Sequence, residues 1–205
     1  MPRPVSRQEA TARNRARLLD AAAKVISKSG IAGASLQEIA AAAGLTKGAV
    51  YSQFDSKEDL LLALLDRRFE IGHAQLGEVL SGDAPMAERL IHLDTWHRGE
   101  AGNGRLWATL ELELSLAAAR QPRLRRKLRE RQRRSREMLA GMIQHIAKEH
   151  DLTLPLPPND LAVVFSALSD GLLVHWLNDS KAVADDLFGR FLITNVIAAS
   201  NAKKK

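Results

Sequence analysis

The sequence predicts an all-α protein with a three-helix N-terminal domain and a larger helical C-terminal domain. Hydrophobic residues make up 45% of the 205-residue chain and aromatic residues only 4%. The apolar fraction is dominated by alanine and leucine, which are strong helix formers. Apolar residues recur three and four positions apart, and no strand-like alternation extends beyond a few residues. Breaks containing glycine or proline divide the chain into roughly nine segments of helical length.

The first element is a long helix, predicted from Gln8 to Ser29. Gly30 is expected to stop it, since glycine readily adopts the left-handed conformation found after helix ends. The next helix begins at Ser35, a good N-cap residue, and Glu38 three positions later completes a capping box.

Another short helix follows the one that begins at Ser35. Gly44 ends the preceding helix and Thr46 caps the new one, of which Val50 and Phe54 form the buried side. Because the turn between the two helices is about four residues long and contains glycine, the pair predicts a helix-turn-helix.

The exposed residues of this helix-turn-helix have the chemistry needed to read DNA. A major groove admits a helix whose N-terminal residues reach base edges. Lys47, Gly48 and Ala49 are the candidates for this close approach, and Gln37 of the preceding helix could address an adenine or a neighbouring base. Contacts to phosphate oxygens fix register without reading sequence. The candidates for them are Ser35, Thr46, Tyr51 and Lys57.

Four short patterns lie between residues 35 and 60, within the segment 13–65: Ser-Leu-x-x-Ile-Ala, Ala-Gly-Leu-Thr-Lys-Gly, Val-Tyr-x-x-Phe and Ser-Lys-Glu-x-Leu. With them, the segment resembles the tetracycline-repressor (TetR) family. The resemblance implies an all-helical homodimeric regulator. Residues 1–55 would form its DNA-binding domain and residues 56–205 its ligand-binding and dimerisation domain, with a connector helix over 56–80. Gln53 stands where the family often has a histidine near the phosphates, so a contact there would carry no charge.

Five more helices are predicted after the connector. They span residues 86–98, 105–119, 122–150, 159–178 and 184–199, with a loop over 99–104, a stiff linker over 151–158, and Asn159 as the cap of the fourth. The last two are apolar nearly all round, which is typical of buried helices.

Basic residues are concentrated in two places, although the formal net charge is only +6. Residues 1–58 contain nine Lys/Arg against five Asp/Glu, and residues 120–136 contain ten against one. A basic patch on a helical domain favours a polyanionic partner. The arginine run at 120–136 could be a second nucleic-acid site or a solvated face neutralised by the acidic remainder. Some of its arginines could instead pair with Asp or Glu near the DNA-binding domain and help transmit a signal.

Polar and aromatic residues of the C-terminal part form a candidate pocket for a small molecule. Such pockets are mostly apolar with a few polar groups, and Trp107, Glu111 and Leu114 share one helical face. Plain core packing is the alternative interpretation of this pattern. The ligand-binding candidates are His92, Trp96, Trp107, Leu110, Glu111, Leu114, Gln132, Ser135 and His175. No metal-ligand spacing such as His-x-x-x-His is present, so we expect no metal and no cofactor.

The last two helices also predict how the chain assembles. Each carries apolar residues on more than one side, and a large exposed apolar patch is rare on a soluble monomer. The second face of each helix would therefore meet its symmetry mate in a four-helix bundle across a two-fold axis. The candidate interface residues are Val164, Leu168, Gly171, Leu172, Phe188 and Phe191.

Enzymatic functions find no support in the sequence, which has no Gly-rich phosphate loop, no nucleophile elbow and no cysteine. No apolar run approaches the ~18 residues of a membrane span, and the N-terminus has no apolar signal core. A cytoplasmic protein without membrane contact is therefore expected.

Together the residues and the resemblance predict a one-component transcription regulator, most simply a repressor. It would bind a palindromic operator as a homodimer and be released by a small-molecule effector. The alternative is a helical ligand-binding or assembly protein without operator function.

Overall fold

The computed structural model describes residues 6–80, 84–91 and 104–197, and within these ranges the chain is helical without a strand. The all-α prediction is confirmed. Nine α-helices are found there: α1 (Arg7–Gly33), α2 (Leu36–Ala42), α3 (Lys47–Tyr51), α4 (Lys57–Leu80), α5 (Met86–Ile91), α6 (Gly104–Arg120), α7 (Pro122–Glu149), α8 (Pro158–Asn178) and α9 (Leu187–Leu192). A π-helical turn, Ile193–Ile197, follows α9. The predicted helical residues 92–98 and the loop at 99–103 lie outside the described ranges.

Helix α1 is kinked where its end was predicted. Gly30 has φ 71°, a left-handed conformation, and helical geometry then resumes for one more turn to Gly33. The helix begins with a capping box, in which the Glu9 amide donates to Ser6 Oγ and the Ser6 amide donates to the Glu9 carboxylate. This cap places the true start within one residue of the predicted one.

One hydrophobic core runs from the N-terminal helices into the C-terminal part. Leu18, Ile39, Val50, Leu60 and Leu110 have no exposed surface and belong to the same cluster. Because burial of a side chain of this size stabilises the fold by roughly 1.5–3 kcal/mol, the shared core holds the helix-turn-helix firmly against α4 and α6. The predicted boundary at residue 55 is not marked by a break in this core, and the division into domains stays a prediction.

The start of α8 differs in detail from the prediction. Its N-cap is Pro157 and Pro158 occupies the first turn, so Asn159 already lies inside the helix and makes no capping hydrogen bond. Proline is suited to the first helical turn because the missing N–H has no partner there in any case. Helix α9 begins at Leu187 after Asp186, three residues later than expected.

Helix α8 is far more exposed than its composition suggests. Of its residues only Leu161 and Ala162 are fully buried, and the expectation of a buried helix is wrong for the single chain. By length and composition α8 could also cross a membrane, contrary to the expectation that no segment is long enough. That criterion is equally met by core helices of soluble proteins, and one face of α8 lines an internal cavity here.

Candidate DNA-binding face and ligand cavity

The first turn of the short helix α3 is exposed at the surface at Lys47 and Gly48, while Val50 on its other side is buried. Thr46 caps it by accepting a hydrogen bond from the Ala49 amide at 3.2 Å. A Cβ atom added to Gly48 would meet only Thr46 Oγ1, at 3.9 Å. The fold therefore leaves open space above Gly48, which is the space that a close external partner would occupy.

The side chains around this turn point to solvent. Thr46 and Lys47 are exposed, and Tyr51 is 48% exposed, with the Lys47 ammonium 5.7 Å from its ring centroid. Gln37 of α2 is exposed as well, whereas Ala49 and Gln53 are half-buried. The exposed turn of α3 thus presents the cation of Lys47 and the phenol of Tyr51 beside Gly48, and the amide of Gln37 is exposed on α2.

Two predicted phosphate contacts are already engaged within the protein. The Ser35 hydroxyl donates to Glu38 Oε2 at 2.8 Å, and its oxygen accepts from the Glu38 amide at 3.2 Å. The Lys57 ammonium donates to the carbonyl of Ile31 near the end of α1. Both residues therefore have structural tasks, and a phosphate contact by Ser35 would require its hydroxyl proton to leave Glu38.

Arginines of α1 hold the helix-turn-helix in place. Arg17 Nη2 donates to the Ala43 carbonyl at the end of α2 at 2.6 Å, and the Arg15 guanidinium lies 4.6 Å from the centre of the Phe54 ring. Gly44 follows with φ 63°, so a residue with a side chain would be strained there. The angle between α2 and α3 is therefore fixed by contacts that leave α3 exposed.

Part of the arginine run of α7 is engaged in ion pairs within the protein. Arg131 is only 8% exposed; its Nε lies 3.0 Å from Asp66 Oδ1, and its Nη1 donates to Glu111 Oε1 at 3.0 Å. Lys127 pairs with Asp59 near the start of α4. Although burial acts to raise the pKa of Asp59, hydrogen bonds from Lys127 and Ser56 outweigh it and lower that pKa.

These pairs bridge α7 to α4 next to the helix-turn-helix, as one of the sequence interpretations anticipated. Other cations of the run pair along their own helix: Arg133 bonds Glu130 at 2.7 Å and Glu137 at 2.6 Å. Since such exposed pairs contribute little to stability, the bridges to α4 are the ones that matter for the fold.

A cavity of about 460 Å³ opens among α4, α6, α7, α8 and α9. Four of the predicted ligand-binding residues line it: Trp107, Glu111, Gln132 and Ser135. Most of the remaining wall is apolar, with side chains such as Phe69, Met142 and Phe165. Its size and polarity are those of ligand sites, which are mostly apolar with a few placed polar groups.

Other predicted ligand-binding residues lie elsewhere. Leu110 and Leu114 are buried in the main core, because the face of α6 that carries them packs on the N-terminal helices instead of the cavity. His175 is exposed near the end of α8 and is not part of the wall. His92 and Trp96 lie outside the described residues.

The polar end of the cavity contains residues that the sequence interpretation did not single out. Asp170 of α8 and Arg131 of α7 line it together with Glu111. Burial raises the pKa of Asp170 to about 6, with a further upward contribution from Glu111 and a downward one from Arg131. Asp170 as a residue is still exposed although protein atoms surround its carboxyl group, so water screens part of this effect. A lone acid in the middle of an apolar helix was the available signal for this position.

Three polar atoms of wall residues are buried and have no hydrogen-bond partner in the described part of the chain. They are His73 Nε2, Glu111 Oε2 and Arg131 Nε, the last of which lies within ion-pair distance of Asp66 without forming an aligned hydrogen bond. Unsatisfied buried polar atoms are rare in folded proteins, and they are often explained by an unseen ion, water or ligand. Among the described residues no group of three His, Asp or Glu could hold a metal ion.

The predicted dimer residues divide into exposed and buried ones. Val164 is 41% and Phe191 38% exposed, and Gly171 is exposed with open space around it. Leu168 and Leu172 are half-buried against a second core cluster within the chain. Phe188 is only 6% exposed and meets the Phe165 ring edge-on at 6.4 Å. Phe188 therefore belongs to the interior of the chain and presents no surface to a partner.

Comparison with known proteins decides the family. Residues 18–64 match the sequence model described as bacterial regulatory proteins, tetR family, and residues 98–192 match the one described as BetI-type transcriptional repressor, C-terminal. The chain belongs to the TetR family. The family resemblance inferred from the N-terminal motifs is thereby confirmed.

The curated relatives match over about a third of this chain. The regulator TtgR of Pseudomonas putida is 40% identical over 63 residues, which are 31% of this chain and 30% of the relative. The regulator AcrR of Shigella flexneri is 38% identical over 74 residues, which are 36% of this chain and 32% of the relative. The chain thus spans about a third of the length of these relatives.

Solved structures match over nearly the whole chain. A TetR-family transcriptional regulator from a Rhodococcus species is 24% identical, covers 92% of this chain and 98% of its own, and has a TM-score of 0.73. A transcriptional regulator from Saccharomonospora viridis, solved in complex with choline, is 22% identical and covers 89% and 96%, with a TM-score of 0.64. At these identities the comparison establishes the shared fold.

Proposed function

We propose that this protein is a cytoplasmic one-component repressor that binds a palindromic operator as a homodimer and leaves it when a small molecule occupies the cavity. The observation that carries the proposal is the position of α4. Its first turn packs in the same core as the helix-turn-helix, through Leu60 against the cluster of Ile39 and Val50, and its middle forms the cavity wall with Arg68, Phe69 and His73. One rigid helix thus belongs to both sites.

DNA binding is supported by the surface around α3. Its first turn has the open space above Gly48 that a base edge would fill, and exposed Lys47 and Tyr51 can donate to phosphates or bases. The matched N-terminal family model and the curated relatives, which are transcriptional regulators, agree with this use.

Homodimerisation is supported by the exposed apolar face of α8 and α9. Val163, Val164 and Phe191 are each more than a third exposed in the single chain. Pairing two copies through this face would cover it and set two α3 helices about one DNA turn, ~34 Å, apart. A single chain would bind one half-site weakly, whereas the dimer would bind both half-sites of the operator.

Release by a small molecule is supported by the cavity and by the neighbour from Saccharomonospora viridis, whose related fold holds choline. An effector can shift the equilibrium only by its different affinity for two conformations. In this fold the difference would arise from movement of α4, which changes the spacing of the paired α3 helices.

The test is selection of bound DNA from a random pool, followed by titration of the selected sequence at several salt concentrations. A palindrome with half-sites about one turn apart is expected. Lys47→Ala should lower the logarithmic salt slope by about one unit, because one phosphate neutralisation is lost. Lys148→Ala, at the far end of α7, is the matched control and should change nothing.

The second candidate is a helical ligand-binding or assembly protein of the same fold without operator function. If the selection yields no DNA motif and the DNA affinity does not depend on salt, the ligand-binding or assembly function is supported and the repressor function is rejected. Turnover of a bound small molecule would indicate an enzyme, whereas the relatives described above are transcriptional regulators.

A further inference from the structure

The junction between α6 and α7 carries a dense group of cations. Residues 120–129 contain six Lys/Arg and no Asp or Glu. Lys127 pairs with α4, and Arg125 donates to the carbonyls of Ala118 and Ala119 at 3.3 Å each, which fastens the end of α6 to the start of α7. The other four cations are exposed, namely Arg120, Arg123, Arg126 and Arg129.

Helix α7 begins at the end of the molecule where the helix-turn-helix lies. Lys127 pairs with Asp59, and one turn later Arg131 pairs with Asp66, so α7 and α4 run in the same direction. Helix α4 follows α3 directly in the chain, and Leu60 in its first turn shares the core of α2 and α3. Both α4 and α7 therefore run away from the helix-turn-helix, and the residues of α7 before Lys127 are the nearest to it.

Arg123 lies one turn before Lys127, which brings it about 6 Å closer to the helix-turn-helix at a rise of 1.5 Å per residue. Burial acts to raise the pKa of Asp59, whereas Lys127 and Arg123 lower it, so the charge of Arg123 is felt at the first turn of α4. Arg126 is its neighbour on the same exposed side of the helix, three positions later, and Arg120 ends α6 just before the turn. These three arginines form a basic turn beside the helix-turn-helix.

The basic turn is short of negative charge. Neither Arg120 nor Arg126 forms an ion pair with a residue that the structure describes. Like charges that are neighbours on a helix surface repel one another, and a polyanion relieves that repulsion. A guanidinium group also matches phosphate geometry through two parallel N–H bonds. The chemistry and the position of the basic turn therefore fit the sugar-phosphate backbone of a duplex held by α3.

We propose that the basic turn, Arg120, Arg123 and Arg126, binds DNA phosphates next to the half-site that α3 contacts, as a second backbone contact made by the C-terminal part of the chain. The inference rests on the proposed function in taking α3 as the DNA-reading helix. Phosphate contacts carry no base information, so the basic turn adds affinity and salt dependence without changing sequence preference. Because α6 and α7 also wall the cavity, an effector that moves them would alter this contact as well.

The test is a salt titration of the full chain on two duplexes of equal length, the operator selected from a random pool and a scrambled sequence. The double variant Arg123→Gln/Arg126→Gln should reduce the logarithmic salt slope by about two units on both duplexes, because two phosphate neutralisations are lost. Arg120→Gln should reduce it by about one unit. The motif that the double variant selects from the pool should stay the same.

Matched variants separate a direct contact from a general charge effect. Arg133→Gln/Lys148→Gln removes the same two charges from the part of α7 beyond Lys127 and should leave the slope unchanged. Arg123→Lys/Arg126→Lys keeps both charges and should keep most of the slope. Thermal unfolding checks that each variant folds. Ethylation interference should show one or two phosphates per half-site whose modification weakens the unmodified protein but not the Arg123→Gln/Arg126→Gln variant.

The outcomes distinguish this contact from the repressor function. Operator binding with the same salt slope in Arg123→Gln/Arg126→Gln and in the unmodified protein overturns the inference and leaves the repressor standing. An equal loss of slope in the Arg133→Gln/Lys148→Gln control overturns it too, because the effect is then one of net charge. A reduced slope on both duplexes without any selected motif supports the phosphate contact and rejects the repressor. DNA affinity of the unmodified protein that does not depend on salt overturns both.

Discussion

Arg131 Nε lies 3.0 Å from Asp66 Oδ1, and this ion pair fastens the long helix α7 to the connector α4. The same guanidinium also bonds Glu111 on α6. One buried cation therefore joins three helices at the point where the cavity meets the connector. Removing the Arg131 charge and removing the charge of its partner Asp66 should therefore have different consequences.

Replacing Arg131 with Met should destabilise the fold by about 1–3 kcal/mol, because Asp66 and Glu111 would lose their shared cation while remaining partly buried. Urea unfolding measures this loss. Arg133→Met is the matched control: Arg133 is exposed, and its partners Glu130 and Glu137 lie on the same helix. Its loss should cost only about 0.5 kcal/mol. Equal losses for both variants would mean that the Arg131 bridge adds nothing to stability.

Replacing Asp66 with Asn should uncouple the two sites more than it destabilises the protein. The Arg131–Glu111 contact in the cavity remains, but the charged link to α4 is lost. If a ligand lowers the operator affinity of the unmodified protein by the roughly 5–150-fold that is usual for coupled sites, it should lower the operator affinity of this variant by less than about threefold. Operator titrations with and without the ligand measure the ratio. Release as strong as in the unmodified protein would show that the signal takes another route.

Replacing Gly48 with Ala should stabilise the fold and weaken operator binding. The added Cβ meets only Thr46 Oγ1 at 3.9 Å, and alanine is favoured over glycine in a helix by up to about 1 kcal/mol. The methyl group would occupy the space where α3 approaches the bases, so operator affinity should fall about tenfold or more. Gly141→Ala in α7, which also has open space, should share the rise in Tm without any effect on DNA. Unchanged operator affinity in Gly48→Ala would move the base contacts away from this turn.

Replacing Val164 with Glu should give a monomer that binds operator weakly. Val164 is 41% exposed in the single chain, so a charge there is tolerated by the monomer but not by a buried dimer face. Leu116→Glu on α6 is the control, since that leucine is 67% exposed and outside the predicted interface. Light scattering measures the mass of both variants. A dimeric Val164→Glu protein with normal operator affinity would place the interface elsewhere.

Because of Asp170, the free energy of unfolding should fall as the pH rises. Its pKa is raised from 3.8 to about 6 by burial and by Glu111 on α6, partly opposed by Arg131 on α7. Between about pH 4 and 6 the folded protein keeps a proton that the unfolded chain has lost, so this residue's contribution to the free energy of unfolding falls as pH rises and stays low above pH 6. Asp170→Asn removes the effect, and its gain in Tm should be larger at pH 8 than at pH 4.5. Asp160→Asn, at the exposed start of α8, should show no such gain.

The sequence by itself determined the features that depend on neighbouring residues. The capping box of Ser35 and Glu38, the cap at Thr46 and the left-handed Gly44 are local hydrogen bonds and dihedral preferences, and they define the helix-turn-helix without reference to the rest of the chain. The TetR resemblance followed from the same stretch.

Only the tertiary structure decided which residues of distant helices meet. Arg131 looked like one member of a solvated run, yet its position on α7 faces Asp66 and Glu111 and is buried. Asp170 and His73 are separated from Glu111 by many residues and reach the same cavity because α8 and α4 pack beside α6 and α7. The periodicity of α8 and α9 shows that each has two apolar faces, but not which face the chain itself covers. Phe188 turned inward and Phe191 outward because packing against Phe165 uses only one of them.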